Sequence, residues 1–411
     1  MPRVITFGCR LNALESEILR ENAQKLGLRD VILINSCAVT AEAERQVRQA
    51  VRKAIREHPD RRVIVTGCSV DIDLKPYLEI PGVVGVLPNA RKLDVEALRP
   101  FCKQAETKDC EGQFSYPASR ARAYVAIQNG CNHFCSYCII PHTRGKSHSM
   151  PLEKILFDVR AAVQKGYIEV VLTGIDIAAY GKEEELTLGR LVSHILQEVP
   201  DLPQLRLSSL DPAAIDNDLL QAFATEERLM PHVHLSLQSM STSVLKAMRR
   251  RHTQKSALDM CYSLRKARPD IVLGADLIAG FPTETEADFE ETLKTLPALR
   301  LAFLHAFPYS KRPNTLAATM LDLSRSVILE RARRLRLFAH EALQICLQQH
   351  IGQTLPVLIE HPLKGRTPHF MHVTWKEPVH AQSLIPMHIT GCQEEALVAT
   401  FSKECSTHLI L

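Results

Sequence analysis

No apolar run in the 411 residues reaches the length of a bilayer span, so a transmembrane helix is not expected. The N-terminus has no charged segment leading into an apolar stretch. Met1-Pro2-Arg3-Val4 runs straight into a strand pattern, and no secretory leader is expected. A strong charge of one sign is also lacking. The formal net charge is only +4, so any argument for nucleic acid must rest on local patches. Cysteine, by contrast, is plentiful. Twelve in a chain without a leader point to a reducing, cytoplasmic compartment and to metal or redox use. With 45% apolar residues the chain can bury real cores, and its length allows two or three domains.

The densest chemistry is Cys131-x-x-x-Cys135-x-x-Cys138, in the loop after a predicted strand, Tyr124 to Asn129. Three thiolates at this spacing can hold three irons of a four-iron cubane and leave one iron without a protein ligand. An open iron can bind a small chelating molecule. Zinc is the other reading. It favours four closed ligands in C-x₂-C pairs, and no fourth thiol lies at that spacing, although His133 and His142 could each supply a nitrogen.

Residues 1–95 alternate short apolar runs with helical stretches, the pattern of a doubly wound, flavodoxin-like α/β sheet. Val4–Phe7, Val31–Ile34 and Val63–Thr66 read as strands, with helices over Leu11–Leu26 and Ala41–Glu57. Cys9, Cys37 and Cys68 follow the three strands. Parallel strands of such a sheet end along one edge, so three cysteines far apart in sequence should converge there and hold a second cluster with one open iron. Three buried free thiols are the alternative. Asn12 and Asn35, beside these loops, read as turn or capping groups. Residues 96–120 read as a linker, with Cys102 and Cys110 as incidental thiols.

Residues 121–345 carry six strand signals: Tyr124–Asn129, Glu169–Thr173, Leu205–Ser209, His232–Gln238, Ile271–Ile278 and Phe303–Pro308. Helical patterns such as Leu152–Lys165, Thr242–Arg250 and Glu284–Lys294 separate them, which fits a partial (β/α)6 barrel. Barrel sites lie at the C-terminal ends of strands, where the cysteine loop falls. Gly174, Ser208, Gln238 and Asp276 lie at or near those ends and are candidate cofactor contacts, as is Tyr137 within the loop. Taken singly, each also reads as a turn glycine or a satisfied polar group. Arg331, Arg333, Arg334 and Arg336 lie within two turns of one helix and read as a solvated face. Residues 346–411 turn to short strands, Leu355–Glu360, Phe370–Thr374 and Ala396–Phe401, as in a small β-barrel. This segment is slightly acidic, so phosphate attraction does not by itself support RNA binding there. Phe370, Trp375, Lys364 and Arg366 could contact a loop nucleotide, and Phe370 could equally be core. Stronger basic clusters are Arg249-Arg250-Arg251, Lys311-Arg312 and the Arg45/Arg48/Arg52/Arg56 helix face. Cys261, Cys346, Cys392 and Cys405 read as structural.

The cysteine triad, preceded by Gly130 and containing Tyr137, resembles the radical S-adenosylmethionine superfamily. Phe7-Gly8-Cys9-Arg10-Leu11-Asn12, Asn35-Ser36-Cys37-Ala38-Val39-Thr40 and Thr66-Gly67-Cys68 resemble its methylthiotransferases. So do Leu172-Thr173-Gly174, His234-Leu235-Ser236-Leu237-Gln238-Ser239, Lys246-Ala247-Met248-Arg249-Arg250 and Gly280-Phe281-Pro282-Thr283-Glu284-Thr285. Ala38–Ala43 and His305-Ala306-Phe307-Pro308-Tyr309-Ser310 look most like the branch acting on N6-threonylcarbamoyladenosine, just 3′ of the tRNA anticodon.

The resemblance implies two 4Fe–4S clusters and S-adenosylmethionine. Cys131, Cys135 and Cys138 would serve radical formation, and Cys9, Cys37 and Cys68 sulfur delivery to C2 of the adenine. It also implies a C-terminal TRAM-like RNA-binding barrel, the anticodon loop of tRNA as partner, an electron donor such as flavodoxin or ferredoxin, and a monomer. Sibling branches act on isopentenyladenosine in tRNA or on an aspartate of a ribosomal protein. An iron–sulfur RNA-binding or sensor protein would be a non-enzymatic alternative. Two positions depart from the family pattern: Met150 replaces an Arg and Met240 a Gly that would approach the cofactor.

Overall fold

The structure, a computed structural model, describes residues 2–102, 121–182 and 186–402. Four parallel strands open the chain: β1 (Arg3–Thr6), β2 (Val31–Ser36), β3 (Arg62–Gly67) and β4 (Val83–Leu87), side by side in chain order. Every residue of β2 is buried, because helices cover both faces of the sheet. Val31 and Leu33 pack with Leu19 and Ala23 of the helix Arg10–Lys25. Ile32 and Ile34 face Val47, Val51 and Ala54 of the helix Ala41–Glu57 on the other side. Burying each such side chain stabilises by about 1.5–3 kcal/mol. The second helix starts where the Thr40 hydroxyl accepts the Ala43 N–H at 3.1 Å, with Glu42 and Glu44 in its first turn.

β4 and the segment after it depart from the pattern expected of the sequence. Residues 96–102, expected within a linker, fold back in the short helical turns Val95–Leu98 and Arg99–Phe101. Ala97 and Leu98 are buried in the first core, and Arg62 donates to the Phe101 carbonyl at 2.7 Å. Gly85 makes room for the Phe101 ring, since a Cβ there would lie 2.2 Å from Phe101 Cε1. Such short turns carry too few residues to show a helical period. Cys110 and the rest of the expected linker lie outside the described residues.

The central unit holds six parallel strands: β5 (Arg122–Ala126), β8 (Glu169–Thr173), β9 (Gln204–Leu207), β10 (His232–Gln238), β11 (Val272–Ala279) and β12 (Phe303–Pro308). A small hairpin of β6 (Gln128–Asn129) and β7 (His148–Ser149) brackets the cysteine loop. β5-β8-β9 and β10-β11-β12 pair as two sheets. Leu210 joins them by donating to the His234 carbonyl and accepting from the Ser236 N–H, both at 2.8 Å. The strands enclose one core that includes Val125, Leu172, Leu207, Leu235 and Leu277. Among the described residues β5 and β12 do not pair, so the barrel is open on that side.

Met150 and Met240 both turn into this core. Met240 is fully buried, and it is Gln238, at φ +67°, that takes the left-handed conformation in this turn. A side chain at 240 therefore does not crowd the cofactor turn. Arg331 also departs from expectation. It is buried, with 2.9 Å ion pairs to Glu284 and Glu286. Glu284 accepts the Gly280 N–H at 2.7 Å, so this arginine braces the Gly280-Phe281-Pro282 turn. Its neighbour Arg333 does lie in solvent, paired with Glu330.

The third unit is a closed barrel of β13 (Thr354–His361), β14 (Lys364–Arg366), β15 (His372–Thr374), β17 (Ala396–Phe401) and β16 (Leu384–Gln393). Its core contains Val357, Ile359, Val373, Met387 and Leu397. β16 is not evident from sequence because Pro386 and a register shift near Gly391 break its alternation. Trp375 is core rather than a nucleotide contact, its indole N–H donating to the Pro362 carbonyl at 2.9 Å. Cys261, Cys346 and Cys392 pack in or against these cores, and Cys405 lies outside the described residues.

The first two units are locked by a buried ion cluster. Arg144, just after the cysteine loop, makes two 2.9 Å contacts to Glu15, and its side chain is 1% exposed. Lys92 reaches the same carboxylate at 2.5 Å. Burial alone would raise the Glu15 carboxyl, but Lys92 and Arg144 outweigh it and hold it below the ordinary value of 4.5. The lock therefore contributes fully above pH 4.5 and is lost as pH falls through the lowered value.

Arg331→Ala should cost about 3–5 kcal/mol by stranding Glu284, while Arg333→Ala should leave the urea midpoint unchanged. Equal midpoints for the two variants would contradict this packing. Glu15→Gln should speed amide exchange in both Arg10–Lys25 and Ile140–Arg144, because two buried cations lose their partner. Protection unchanged in both helices would show that the lock is idle.

Candidate functional site

All six candidate thiols, with Tyr137, Gly174, Ser208, Gln238 and Asp276, line one chamber of about 920 Å3 between the first sheet and the barrel. Local backbone explains how the sequence brings them there. Gly130 sits at φ +72°, and a Cβ on it would lie 2.0 Å from the Lys146 carbonyl oxygen. Only glycine allows the cysteine loop to leave β6 so close to the returning strand. The loop is then pinned at Ser136. Its N–H donates to the Met248 carbonyl at 3.1 Å, its hydroxyl to Ala247 at 2.8 Å, and its carbonyl accepts from Ala317 at 2.7 Å. Tyr137 meets Phe281 edge-on at 6.5 Å between ring centroids.

Cys131, Cys135 and Cys138 lie close enough for their charges to be felt by one another. Burial pushes the Cys138 thiol up to about 12 and also raises Cys131, while backbone N–H groups of Ile140 and His133 oppose it. Arg250 reaches Cys135 Sγ at 3.5 Å and is held by the Ser236 carbonyl and Asp211. Such thiols resist ionisation on their own, and a bound metal deprotonates them outright. His133 Nε2 lies 2.7 Å from Asp176, and both fall within reach of Cys131. His142 instead packs edge-on against Phe134, 6.0 Å away.

Cys9, Cys37 and Cys68 meet at the carboxyl ends of β1, β2 and β3; Cys37 feels both of the others, and Cys9 feels Cys68. Cys37 and Cys68 are nearly buried, and Cys9 opens into the chamber. Burial raises Cys37 to about 11; it also raises Cys9, against the pull of Arg144. Gly8, at φ +92°, is the close approach here, because a Cβ would fall 2.8 Å from Cys37 Sγ. Asn12 and Asn35 prove to be staples of these loops. Asn12 donates to the Phe7 and Ser36 carbonyls, and Asn35 to the Asn12 carbonyl and the Ser16 hydroxyl. Each triad thus offers three soft donors around an open cavity, the donor set that suits an iron–sulfur cubane with one free iron.

The five cofactor candidates differ in how free they are. Gly174 lies against Gln128, whose side chain accepts the Ile175 and Asp176 N–H groups at 3.1 and 2.8 Å. Asp276 Oδ1 is bonded by both His234 Nε2 at 2.9 Å and His305 Nδ1 at 3.0 Å, with those ring nitrogens protonated. Burial alone would raise Asp276, but the two imidazoles hold it well below the usual carboxylate range. Gly274 leaves space for the His234 ring, since a Cβ there would stand 2.5 Å from Nδ1. Sequence reasoning missed His234, His305, His232, Arg10 and Asn89 as chamber or ligand-loop residues. Asn89 Nδ2 lies 3.4 Å from Cys68 Sγ. Alternation along β10 would have placed 232, 234, 236 and 238 on one inward face.

The barrel residues 125–296 match the radical SAM superfamily, and residues 2–87 match the family described as UPF0004. The chain is 40% identical over 95% of both chains to a threonylcarbamoyladenosine tRNA methylthiotransferase MtaB of Rickettsia prowazekii. It is 30% identical to a tRNA-2-methylthio-N(6)-dimethylallyladenosine synthase of Roseobacter denitrificans, covering 96% of this chain and 97% of that one. Its fold is similar to the radical S-adenosylmethionine methyltransferase TsrM of Kitasatospora setae, with a TM-score of 0.50, 14% identity, and coverage of 70% and 67% of the two chains. Among the described residues no helix is long and apolar enough to cross a membrane. With two cysteine triads facing one chamber and relatives matched along nearly their whole length, the chain belongs to the radical SAM tRNA methylthiotransferases.

Proposed function

We propose that the enzyme transfers a methylthio group to C2 of N6-threonylcarbamoyladenosine at position 37 of tRNA, using two 4Fe–4S clusters and S-adenosylmethionine. The observation that carries this reading is the two sets of three thiols facing one chamber. Cys131, Cys135 and Cys138 would hold the cluster of the core, and Cys9, Cys37 and Cys68 the second, each leaving one iron open. When bound, these groups supply a deoxyadenosyl radical and a transferable sulfur. The protein supplies position and dryness. Tyr137, Gly174, Ser208, Gln238 and Asp276, which line the chamber, would contact the cofactor. Ser136 and Arg250 hold the core loop in place against the barrel. Glu15, through Arg144, keeps the second triad in register with the first. The purine would enter between the triads, so that its C2 meets radical and sulfur in turn.

The choice of substrate rests on the relatives. Those named for threonylcarbamoyladenosine reach 40% identity over 95% of this chain, against 34% over 86% for those named for dimethylallyladenosine. Residues 2–102 would form the sulfur-delivering unit, 121–345 the radical-forming unit and 346–402 a TRAM-like grip on the anticodon loop. The helix face of Arg45, Arg48, Arg52 and Arg56 adds a basic surface on the first unit; Arg45 is paired with Glu42.

Cys135→Ala should abolish deoxyadenosine formation with dithionite. Cys37→Ala should keep cofactor cleavage, bind about half the iron and yield no methylthio nucleoside. Full product from Cys37→Ala would remove the second cluster. Nucleoside mass spectrometry of tRNA from cells lacking and then regaining the gene should show 2-methylthio-N6-threonylcarbamoyladenosine disappear and return. Loss of the isopentenyl product instead would select the other tRNA branch.

A further inference from the structure

One end of the chamber carries a surplus of positive charge that the cysteine chemistry does not use. The Phe370 ring, projecting from the C-terminal barrel, is surrounded by the guanidinium carbons of Arg366 at 4.0 Å, Arg206 at 5.0 Å, Arg122 at 5.3 Å and Arg10 at 5.4 Å. Two carboxylates stand among these four cations, and both are taken. Glu169 is bonded by Arg122 and Arg206, and Glu360 by Arg122 with Arg366 at 3.5 Å. His232 lines the same end, is 2% exposed, and has no partner on either ring nitrogen. Burial, with Arg206 beside it, keeps that imidazole neutral, so it retains one N–H to give. Arg10 lines the chamber too; burial, with Arg206 and Arg122 beside it, lowers its pKa against the opposing pull of Tyr124 and Glu169. Glu395, a further carboxylate on the chamber lining, is exposed. A buried cationic surplus with unpaired N–H groups is a site waiting for an anion.

Position in the chain identifies which anion. Arg10 directly follows Cys9, and both residues line the chamber. In an adenine, C2 and the carbon bearing N6 flank the same ring nitrogen. A substituent on N6 that folds along this edge therefore brings its far end near the reacting carbon. The threonylcarbamoyl group ends in a carboxylate, and an isopentenyl group ends in methyls.

We propose that Arg10, backed by the charge of Arg366, Arg206 and Arg122 and by the His232 N–H, binds the carboxylate of the N6-threonylcarbamoyl substituent and selects this purine over one with an apolar tail. The inference rests on the proposed substrate. A guanidinium left without its anion in this pocket would disfavour the apolar substrate, since an unpaired buried ion costs more than a lost contact.

The test compares tRNA bearing threonylcarbamoyladenosine with the same tRNA carrying its methyl ester, using the reconstituted wild type and R10Q. Wild type should lose roughly 10- to 100-fold in kcat/KM on the ester, the worth of a charge-assisted hydrogen bond. R10Q should lose a similar factor on the acid, fall no further on the ester, and keep its iron content. Losses that multiply, or equal wild-type rates on acid and ester, would overturn the site even if R10Q folds poorly. R10Q that binds S-adenosylmethionine more weakly yet still discriminates acid from ester would assign the anion to the cofactor and overturn it as well. Wild type inactive on threonylcarbamoyladenosine would remove the substrate reading itself. Activity with discrimination unchanged in R10Q removes only the site.

Discussion

The Glu15 carboxylate, held between Arg144 and Lys92, is the interaction on which the rest of the molecule turns. Three ionised groups out of water are expensive unless every charge is answered, so such a cluster tolerates one geometry only. Glu15 lies on the helix that begins after Cys9, and Arg144 ends the helix that comes after Cys138. Asn12 and Asn129 also accept from Arg144, at 2.5 and 3.1 Å. The cluster therefore does more than dock two units. It sets the spacing of two cysteine triads that come from different sheets, and a transfer between them is sensitive to that spacing.

Close backbone approach is the second constraint. At Gly8 and Gly130 a single methyl would collide with Cys37 and with the Lys146 carbonyl. Each glycine lets a cysteine loop turn tightly enough that three thiols face the same volume. Cys9, Cys37, Cys131 and Cys138 then sit in surroundings that suppress their ionisation, which favours metal as the charge-balancing partner over free thiolate. Burial of the thiols and exclusion of water come from the same packing, and radical chemistry needs a site closed to water.

The third unit contributes to the chamber as well as to the surface. Phe370 stacks on His232 at 5.0 Å, and the aromatic column continues through His234 to His305 and ends at Phe307. That column runs along the inner face of β10 and across to β12, the open side of the barrel. Asp276 ties two of its rings together. A C-terminal barrel whose loop reaches the wall of the central chamber helps to build the site itself.

Much of this was legible from local pattern. Alternation and apolar runs located nearly all the long strands, and Cys-x₃-Cys-x₂-Cys together with one cysteine after each of β1, β2 and β3 pointed to both triads, because short spacing in one loop and equivalent ends of adjacent parallel strands each bring sulfurs together. β4, β14, β16 and the turns after Asp94 were hidden, being short, polar or broken by proline. What the sequence could not express was partnership across distance. Arg331 and Trp375 read as surface groups until Glu284 and the Pro362 carbonyl were found beside them. Nor could Arg10, Arg122, Arg206 and Arg366, scattered over the chain, be known to surround one ring. Residue type and spacing determine which chemistry is possible; burial and long-range charge decide where it is focused, since both depend on which surfaces meet only after the chain has folded.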